Sequence, residues 1–185
     1  MGNIWAPHDL APHPQSPPRS VERVTVQILG LDQSSLELEW WVFPALDLAQ
    51  PPEVEPARAD GLWSTTCFEA FLKFPGSDGY AEFNFSPSFA WAAYRFDGYR
   101  EGMRPLSMKL DPEITKSYPG EHFYLSAEFD QCEYIGKGLV ANLTAVIEES
   151  SGTKSYWALA HPPEGPPDFH DPACFVLELP PPSTS

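Results

Sequence analysis

Residues 60–103 read DGLWSTTCFEAFLKFPGSDGYAEFNFSPSFAWAAYRFDGYREGM, and this segment contains three successive runs of alternating side chains. A β-strand directs successive side chains to opposite faces of its sheet, so each run predicts a strand. One predicted face carries Cys67, Glu69, Phe71 and Lys73 from the first run, Tyr80, Glu82, Asn84 and Ser86 from the second, and Phe89, Trp91, Ala93 and Arg95 from the third.

If these strands pair as antiparallel neighbours, four polar side chains meet beside the indole ring of Trp91. They are Glu69, Glu82, Asn84 and Arg95. A few convergent polar groups next to an aromatic ring suit the recognition of a small ligand. We therefore expect the functional site on this surface of the sheet.

The charge of the chain excludes some classes of partner. Its 185 residues suit one domain, and 26 acidic against 11 basic residues give a formal charge of -15. Such a surface repels a phosphate backbone and an anionic membrane, so we expect neither nucleic acid nor membrane as a partner. The first residues, MGNIWAPHDLAPHPQ, lack the basic and apolar regions of a signal peptide, which predicts a cytoplasmic protein.

Prolines, 22 in number, divide the chain. They predict an extended arm at residues 1–20, one domain at residues 21–180 and a loose tail at residues 181–185. Within residues 44–59 four prolines exclude a central strand and predict a loop that crosses between sheets.

The remaining pattern is that of short strands separated by turn signals, with little helical periodicity. Further strands are predicted at 24–28, 36–40, 106–110, 123–129, 139–148, 156–159 and 175–179, with a connecting loop at 111–122 and a hairpin end at 130–138. About ten short strands predict an all-β fold, an antiparallel β-sandwich of jelly-roll type.

The aromatic residues of the central segment favour a sugar ligand. A sugar ring stacks on a flat aromatic side chain while carboxylates and guanidinium groups hydrogen-bond its hydroxyls. Trp63 and Trp91 are the predicted platforms, although β-sandwiches also bury aromatic rings between their sheets. Glu69 and Glu82 could also form a glycosidase pair, but a carboxylate beside Arg95 suits recognition better than proton donation.

A proline-stiffened segment supplies a second candidate site. His161, Asp168 and His170 could hold a metal or, with Met103 or Met108, ligate a haem iron, but loop histidines more often hydrogen-bond the backbone. The three cysteines are odd in number and lack CxxC spacing, which predicts buried, reduced thiols rather than disulfides. These are Cys67, Cys132 and Cys174.

Three blocks of the sequence resemble the bacterial DOMON-like domain proteins, which are related to family-nine carbohydrate-binding modules and to the DOMON domains of cytochromes. The blocks are LWSTTCFEAFL (62–72), YAEFNFSPSFAWAAYRFDGYREGM (80–103) and YWALAHPPEGPPDFHDPACFVLEL (156–179). The resemblance implies a jelly-roll β-sandwich that binds sugar or haem on or near one sheet face, without catalysis. The haem-binding relatives use a Met and a His as axial ligands.

We therefore expect a non-catalytic module for a carbohydrate or similar polyhydroxylated small molecule. Its predicted ligand-binding residues are Trp63, Glu69, Glu82, Asn84, Trp91 and Arg95. The alternatives are a haem-binding module that uses His161, His170 and Met103, and a protein-interaction domain without a small ligand. We expect the central segment, residues 60–103, and the segment from His161 to His170 to lie close together in space.

Overall fold

The computed structural model describes residues 3–32, 34–130 and 138–181, and most of their regular structure is β-strand. The strands are β1 (His8–Pro12), β2 (Arg23–Leu31), β3 (Ser35–Phe43), β4 (Ala57–Arg58), β5 (Cys67–Lys73), β6 (Tyr80–Phe85), β7 (Ala90–Phe96), β8 (Arg104–Pro105), β9 (Glu113–Ser117), β10 (Phe123–Asp130), β11 (Leu139–Glu148), β12 (Lys154–Ala158) and β13 (Leu177–Leu179). Within these ranges two short 3-10 helices cover Leu62–Ser64 and Pro172–Cys174. The all-β prediction is confirmed.

The strands form one curled sheet in the order β4-β7-β6-β5-β11-β12-β1-β2-β3-β10-β9, with β8 beside β7 and β13 beside β11. β1 pairs with β2 through residues 8–10 and with β12 through residues 11–12, so it joins two halves. We call them the β2 half (β2, β3, β10 and β9) and the β5 half (β12, β11, β5, β6, β7 and β4). The β4–β7 pair is parallel whereas the other described pairs are antiparallel, so the sheet is mixed.

The two halves pack face to face around an aromatic core. The ring of Trp40 on β3 lies 5.7 Å from that of Phe68 and 6.0 Å from that of Phe85, between centroids. Phe83 of β6 and Phe129 of β10 are 4.6 Å apart. Each such side chain contributes roughly 1.5–3 kcal/mol by leaving water, so the fold is sandwich-like and held by its inner faces.

The β5 half is buried on its outer face as well. All six residues of β6 and the first six of β5 are buried, whereas β3 alternates between buried and half-buried residues. A second apolar cluster lies on that outer face and includes Phe71, Tyr80, Tyr94 and Phe169. Loops cover this face, which is why polar residues placed there are also withdrawn from water.

Two predicted elements are wrong, and one predicted loop contains a short edge strand. Residues 106–110 are not a strand. The pairing with β7 is limited to the two residues of β8, and the Leu106 side chain that follows packs into the core. Residues 111–122, predicted as a loop, contain the edge strand β9, whose exposed polar residues carry little strand signal. The crossing loop at 44–59 ends in β4, which is only two residues long and lies at the sheet edge, where proline neighbours are tolerated.

The termini and turns of the prediction are placed as follows. The arm at residues 1–20 includes β1, which the proline-rich sequence concealed. Most of the hairpin end at 130–138, together with Cys132, lies outside the described residues. Cys67 and Cys174 are free and buried. No helix in the described parts of the chain has the length and apolar character needed to cross a membrane.

Candidate functional site

Three polar side chains of the central segment, Glu69, Glu82 and Asn84, lie on the outer face of the β5 half. In the β5–β6 register Glu69 is opposite Asn84, and Glu82 is two pairs further along, opposite Phe71. On the other side of β5, Thr144 of β11 is opposite Glu69. Adjacent strands therefore bring the two carboxyl groups onto one surface, as the alternation predicted.

The predicted face of β7 is wrong. In the β6–β7 register Tyr94 is opposite Glu82 and Ala92 is opposite Asn84, so even-numbered residues of both strands share a face. Trp91 and Arg95 consequently lie on the other face. The reason is the turn after β6, in which Phe89 has a φ of 72° and belongs to the turn rather than to β7.

Burial separates the two predicted platforms. Trp91 is 3% exposed and belongs to the core between the halves, with the Arg58 guanidinium 4.4 Å from its ring centroid. Trp63 is 42% exposed, in the 3-10 helix that follows Gly61, and its ring lies 6.2 Å from that of Tyr94 on the outer face. Trp63 is thus available to a ligand whereas Trp91 is a core residue.

Loops close over the outer face and leave a pocket of about 320 Å³. We call this space the outer-face pocket. Its lining comes from the sheet, from the 3-10 helix before β5, from the turn after β7 and from the segment before β13. The lining residues are Trp63, Glu69, Glu82, Phe96, Arg100, Met103, Val146, Tyr156, Pro167, Phe169 and His170.

Two carboxyl groups, Glu69 and Glu82, form the polar part of the sheet surface in this pocket. Their exposed fractions are 2% and 4%. Glu69 Oε2 accepts a hydrogen bond of 3.3 Å from the Thr144 hydroxyl, and Glu82 Oε1 accepts one of 2.8 Å from the Asn84 amide. Glu69 Oε1 is buried without a hydrogen-bond partner.

Burial governs the protonation of this pair. Loss of hydration, followed by repulsion from Glu82, raises the pKa of Glu69 well above its usual value. Burial likewise raises the pKa of Glu82 to about 7, although the Asn84 hydrogen bond and the charge of Arg100 oppose it. Burial and the nearby carboxyl groups also raise the pKa of the Cys67 thiol, so it is inert near neutral pH.

His170 stands over the carboxyl pair. Its Nε2 lies 3.8 Å from Glu82 Oε2, and its Nδ1 lies 2.7 Å from the Tyr80 hydroxyl. That hydroxyl oxygen also accepts a hydrogen bond from the Arg100 backbone N–H. Burial and the charge of Arg100 lower the pKa of His170 to about 4. The imidazole is therefore neutral at pH 7, and the position of Nε2 opposite a carboxyl oxygen favours the tautomer with the hydrogen on Nε2.

An ion pair fastens the turn after β7 to the segment before β13. Arg100 Nη2 lies 2.7 Å from Asp168 Oδ1, and the Tyr99 hydroxyl donates to Asp168 Oδ2 at 2.5 Å. The backbone N–H of His170 also donates to Oδ1, at 3.1 Å. Although burial opposes it, these hydrogen bonds lower the pKa of Asp168 overall. This contact confirms that the two sequence blocks meet in space.

The predicted haem or metal residues do not converge on one position. His170 and Met103 both line the outer-face pocket, but His161 Nε2 is 2.8 Å from the Ala11 carbonyl oxygen. An axial histidine keeps one ring nitrogen for iron. His170 instead turns Nδ1 to Tyr80 and Nε2 towards Glu82. In this arrangement the residues do not fit a haem iron.

Comparison with solved structures adds the fold relationship. A protein from Bacteroides uniformis that is proposed to bind carbohydrate is 16% identical, with a TM-score of 0.66, over 91% of this chain and 82% of that chain. A family 9 carbohydrate-binding module from Caldicellulosiruptor kristjanssonii, in complex with glucose, is 11% identical, with a TM-score of 0.50, over 79% of this chain and 70% of that chain. A family 9 module from the same organism in complex with cellotriose is 12% identical, with a TM-score of 0.50, over 86% of this chain and 76% of that chain.

The chain shares the fold of these proteins. The relationship to family-nine modules that the sequence implied is thereby confirmed at the level of fold. No protein-family model matches the chain, and no curated protein matches it in sequence.

Several residues of the site were missed by the sequence reasoning. Arg100 lies between Gly98 and Gly102 in a turn, and a charged residue held between two turn glycines was the available signal. Thr144 alternates with the apolar core residues of β11 and therefore could have been assigned to the outer face. Phe169 carried no signal, because only the path of its loop brings it over the sheet.

Proposed function

We propose that this chain is a non-catalytic binding module that holds a carbohydrate or similar polyhydroxylated small molecule in the outer-face pocket. The observation that carries the proposal is the pairing, in one pocket, of a half-exposed indole ring with a buried carboxyl pair. Trp63 offers a flat apolar surface, and Glu69 and Glu82 offer hydrogen-bond acceptors. A sugar ring presents both an apolar C–H face and hydroxyl donors, so it complements both features.

The contacts of a bound sugar follow from the lining. Its C–H face stacks on Trp63, and one hydroxyl donates to the unpartnered Oε1 of Glu69. Another hydroxyl reaches Glu82, whose Oε2 lies 3.8 Å from the Nε2 of His170. Satisfying a buried acceptor is worth roughly 1–3 kcal/mol, which makes Glu69 the main polar anchor.

The position of the carboxyl groups supports binding rather than hydrolysis. A glycosidase pair flanks the scissile bond, with one carboxyl on each side of the sugar. Glu69 and Glu82 are diagonal neighbours on one sheet face and both lie beneath the ligand space. Recognition from one side is what this arrangement supplies.

The fold relationship adds support. Family 9 modules with this fold have been solved with glucose and with cellotriose. We further propose that the strands of the sandwich are connected as in a jelly roll and that the chain is a DOMON-like domain. Both proposals rest on the resemblance of residues 62–72, 80–103 and 156–179. A closed outer face would favour a protein-interaction domain, whereas the pocket favours a small ligand.

The test is titration calorimetry of the full chain against a panel of neutral mono- and oligosaccharides. Trp63→Ala and Glu69→Ala are expected to weaken binding at least about tenfold. Trp5→Ala is the matched control, because Trp5 is 45% exposed but does not line the pocket. If a sugar bound equally well to all three variants, the site would be wrong; if no sugar bound, the function would be.

A further inference from the structure

The polar groups of the sheet surface in the outer-face pocket are two carboxyl groups, which offer only acceptors once they are ionised. Glu69 lines the pocket, and its Oε1 is buried without a hydrogen-bond partner, while Glu82 Oε2 lies 3.8 Å from the Nε2 of His170. The donors nearby, from Thr144 and Asn84, are already used on the other carboxyl oxygens. A hydroxyl both donates and accepts, whereas an ammonium group has three donors and no acceptor.

The pocket also lacks a positive charge of its own for these carboxyl groups. Among the described lining residues the sole basic side chain apart from the neutral His170 is Arg100, and its Nη2 is held by Asp168 at 2.7 Å. Buried carboxylates are normally paired with a cation or protonated. The pair therefore has room for one positive charge that the protein does not provide.

The walls of the pocket and the field around it favour the same charge. Trp63, Phe96, Tyr156 and Phe169 all line the space, and aromatic faces attract ammonium groups. The formal charge of -15 also raises the local concentration of cations.

We propose that the preferred ligand of the outer-face pocket is a polyhydroxylated amine, such as an amino sugar with a free amino group, whose ammonium group binds between Glu69 and Glu82. This deepens the proposed sugar-binding function and rests on it. The hydroxyl-bearing ring stacks on Trp63 as before, and the ammonium group donates to Glu69 Oε1 and Glu82 Oε2.

The proposal makes binding dependent on protonation. An ammonium group stabilises both carboxylates, so its arrival expels the proton that the pair holds at neutral pH, and acid weakens binding. The other titratable groups that face the pair come from β5, β6, β7, the turn after β7 and the segment before β13: they are Cys67, Tyr80, Tyr94, Arg100, Asp168 and His170.

The experiment compares matched pairs of ligands on the full chain at pH 7: glucosamine with glucose, galactosamine with galactose, and mannosamine with mannose. We expect at least one amino sugar to bind about tenfold or more tightly than its neutral partner. That advantage should shrink at pH 5, and N-acetylglucosamine should behave like a neutral sugar. Calorimetry in phosphate and in Tris buffer should reveal proton release for the amino sugar only.

Two isosteric variants complete the test. Glu69→Gln should remove the preference for the amine, whereas Glu22→Gln, which makes the same change at an exposed position, should retain it. If neutral sugars bound as tightly as their amino partners, or if no proton were released, this inference would be overturned and the sugar-binding function would stand. If no member of any pair and no sugar of the neutral panel bound, both would fall.

Discussion

The Nδ1 atom of His170 lies 2.7 Å from the hydroxyl oxygen of Tyr80. The other ring nitrogen, Nε2, lies 3.8 Å from Glu82 Oε2, which favours a hydrogen on Nε2 and a Tyr80 hydroxyl that donates to Nδ1. We predict that ¹⁵N NMR will show the Nε2–H tautomer of His170, with a titration midpoint near the pKa of about 4. Tyr80→Phe should shift the tautomer balance. A midpoint near the usual 6.5 would contradict the network.

Protonation of Glu82 should couple stability to pH. Its pKa is about 7 in the folded chain against an ordinary 4.5, so the carboxyl contributes fully below pH 4.5 and loses its contribution as pH rises through 7. The shift corresponds to about 3 kcal/mol. We expect the difference in free energy of unfolding between wild type and Glu82→Gln to change by this amount between pH 4 and pH 8.5. Parallel pH profiles in chemical denaturation would refute it.

The ion pair between Arg100 and Asp168 should matter more than a surface pair. Asp168→Asn removes the charge that holds two loops, and we expect a loss of about 1–2 kcal/mol together with weaker ligand binding. Asp9→Asn is the control, because the Asp9–Arg23 pair is 2.5 Å long but exposed on both sides. Its loss should cost below about 0.5 kcal/mol. Equal losses in denaturation would show that the loop contact adds nothing.

The two tryptophans of the central segment should give opposite phenotypes. Trp91→Ala leaves a cavity between the halves, and we expect it to cost about 3–5 kcal/mol in unfolding free energy. Trp63→Ala should cost far less, because the ring is 42% exposed, yet it should weaken sugar binding. Thermal melts and titrations on the same preparations separate the effects. Comparable destabilisation by both changes would contradict the burial described here.

The turn that carries Arg100 should be sensitive to one glycine. Gly102 has a φ of 64°, and an added Cβ would lie 2.2 Å from Asp97 Oδ2. Gly61 has a φ of 73°, but its Cβ would meet nothing within 4 Å. In both alanine variants the left-handed backbone conformation costs about 1–2 kcal/mol, because alanine has a Cβ, and only Gly102→Ala adds a clash. We expect the melting temperature of Gly102→Ala to fall further than that of Gly61→Ala. Equal falls would show that the Asp97 side chain does not lie against Gly102.

The sequence predicted the fold class and the shared surface of Glu69, Glu82 and Asn84, because alternation alone assigns a residue to a face within one strand. The sequence assigned Trp91 and Arg95 to the wrong face, because the direction of side chains in the next strand depends on how many residues form the turn before it. Phe89 takes a left-handed conformation in that turn, and no residue pattern announced it. The face on which each β7 side chain lies could therefore be assigned only from the pairing register of β6 and β7 in the structure.

The loops were harder to predict than the strands. Asp168 and His170 were recognised as chemically suggestive, but their contacts with Arg100 and Tyr80 join residues far apart in sequence. Proline-rich segments have no periodicity that reports where they pack. The carboxyl pair was identifiable from the sequence, while the pocket around it was not.

β1 has a consequence for how the chain is made. Ala11 pairs with Ala158, so the contact that closes the sandwich spans most of the sequence. Such non-local contacts form slowly, because a long loop must be ordered first. During synthesis on the ribosome, β12 emerges only after nearly all the other strands have been made. β1 thus waits longest for its second neighbour, and its bridge between the two halves is complete only after β12 has been made.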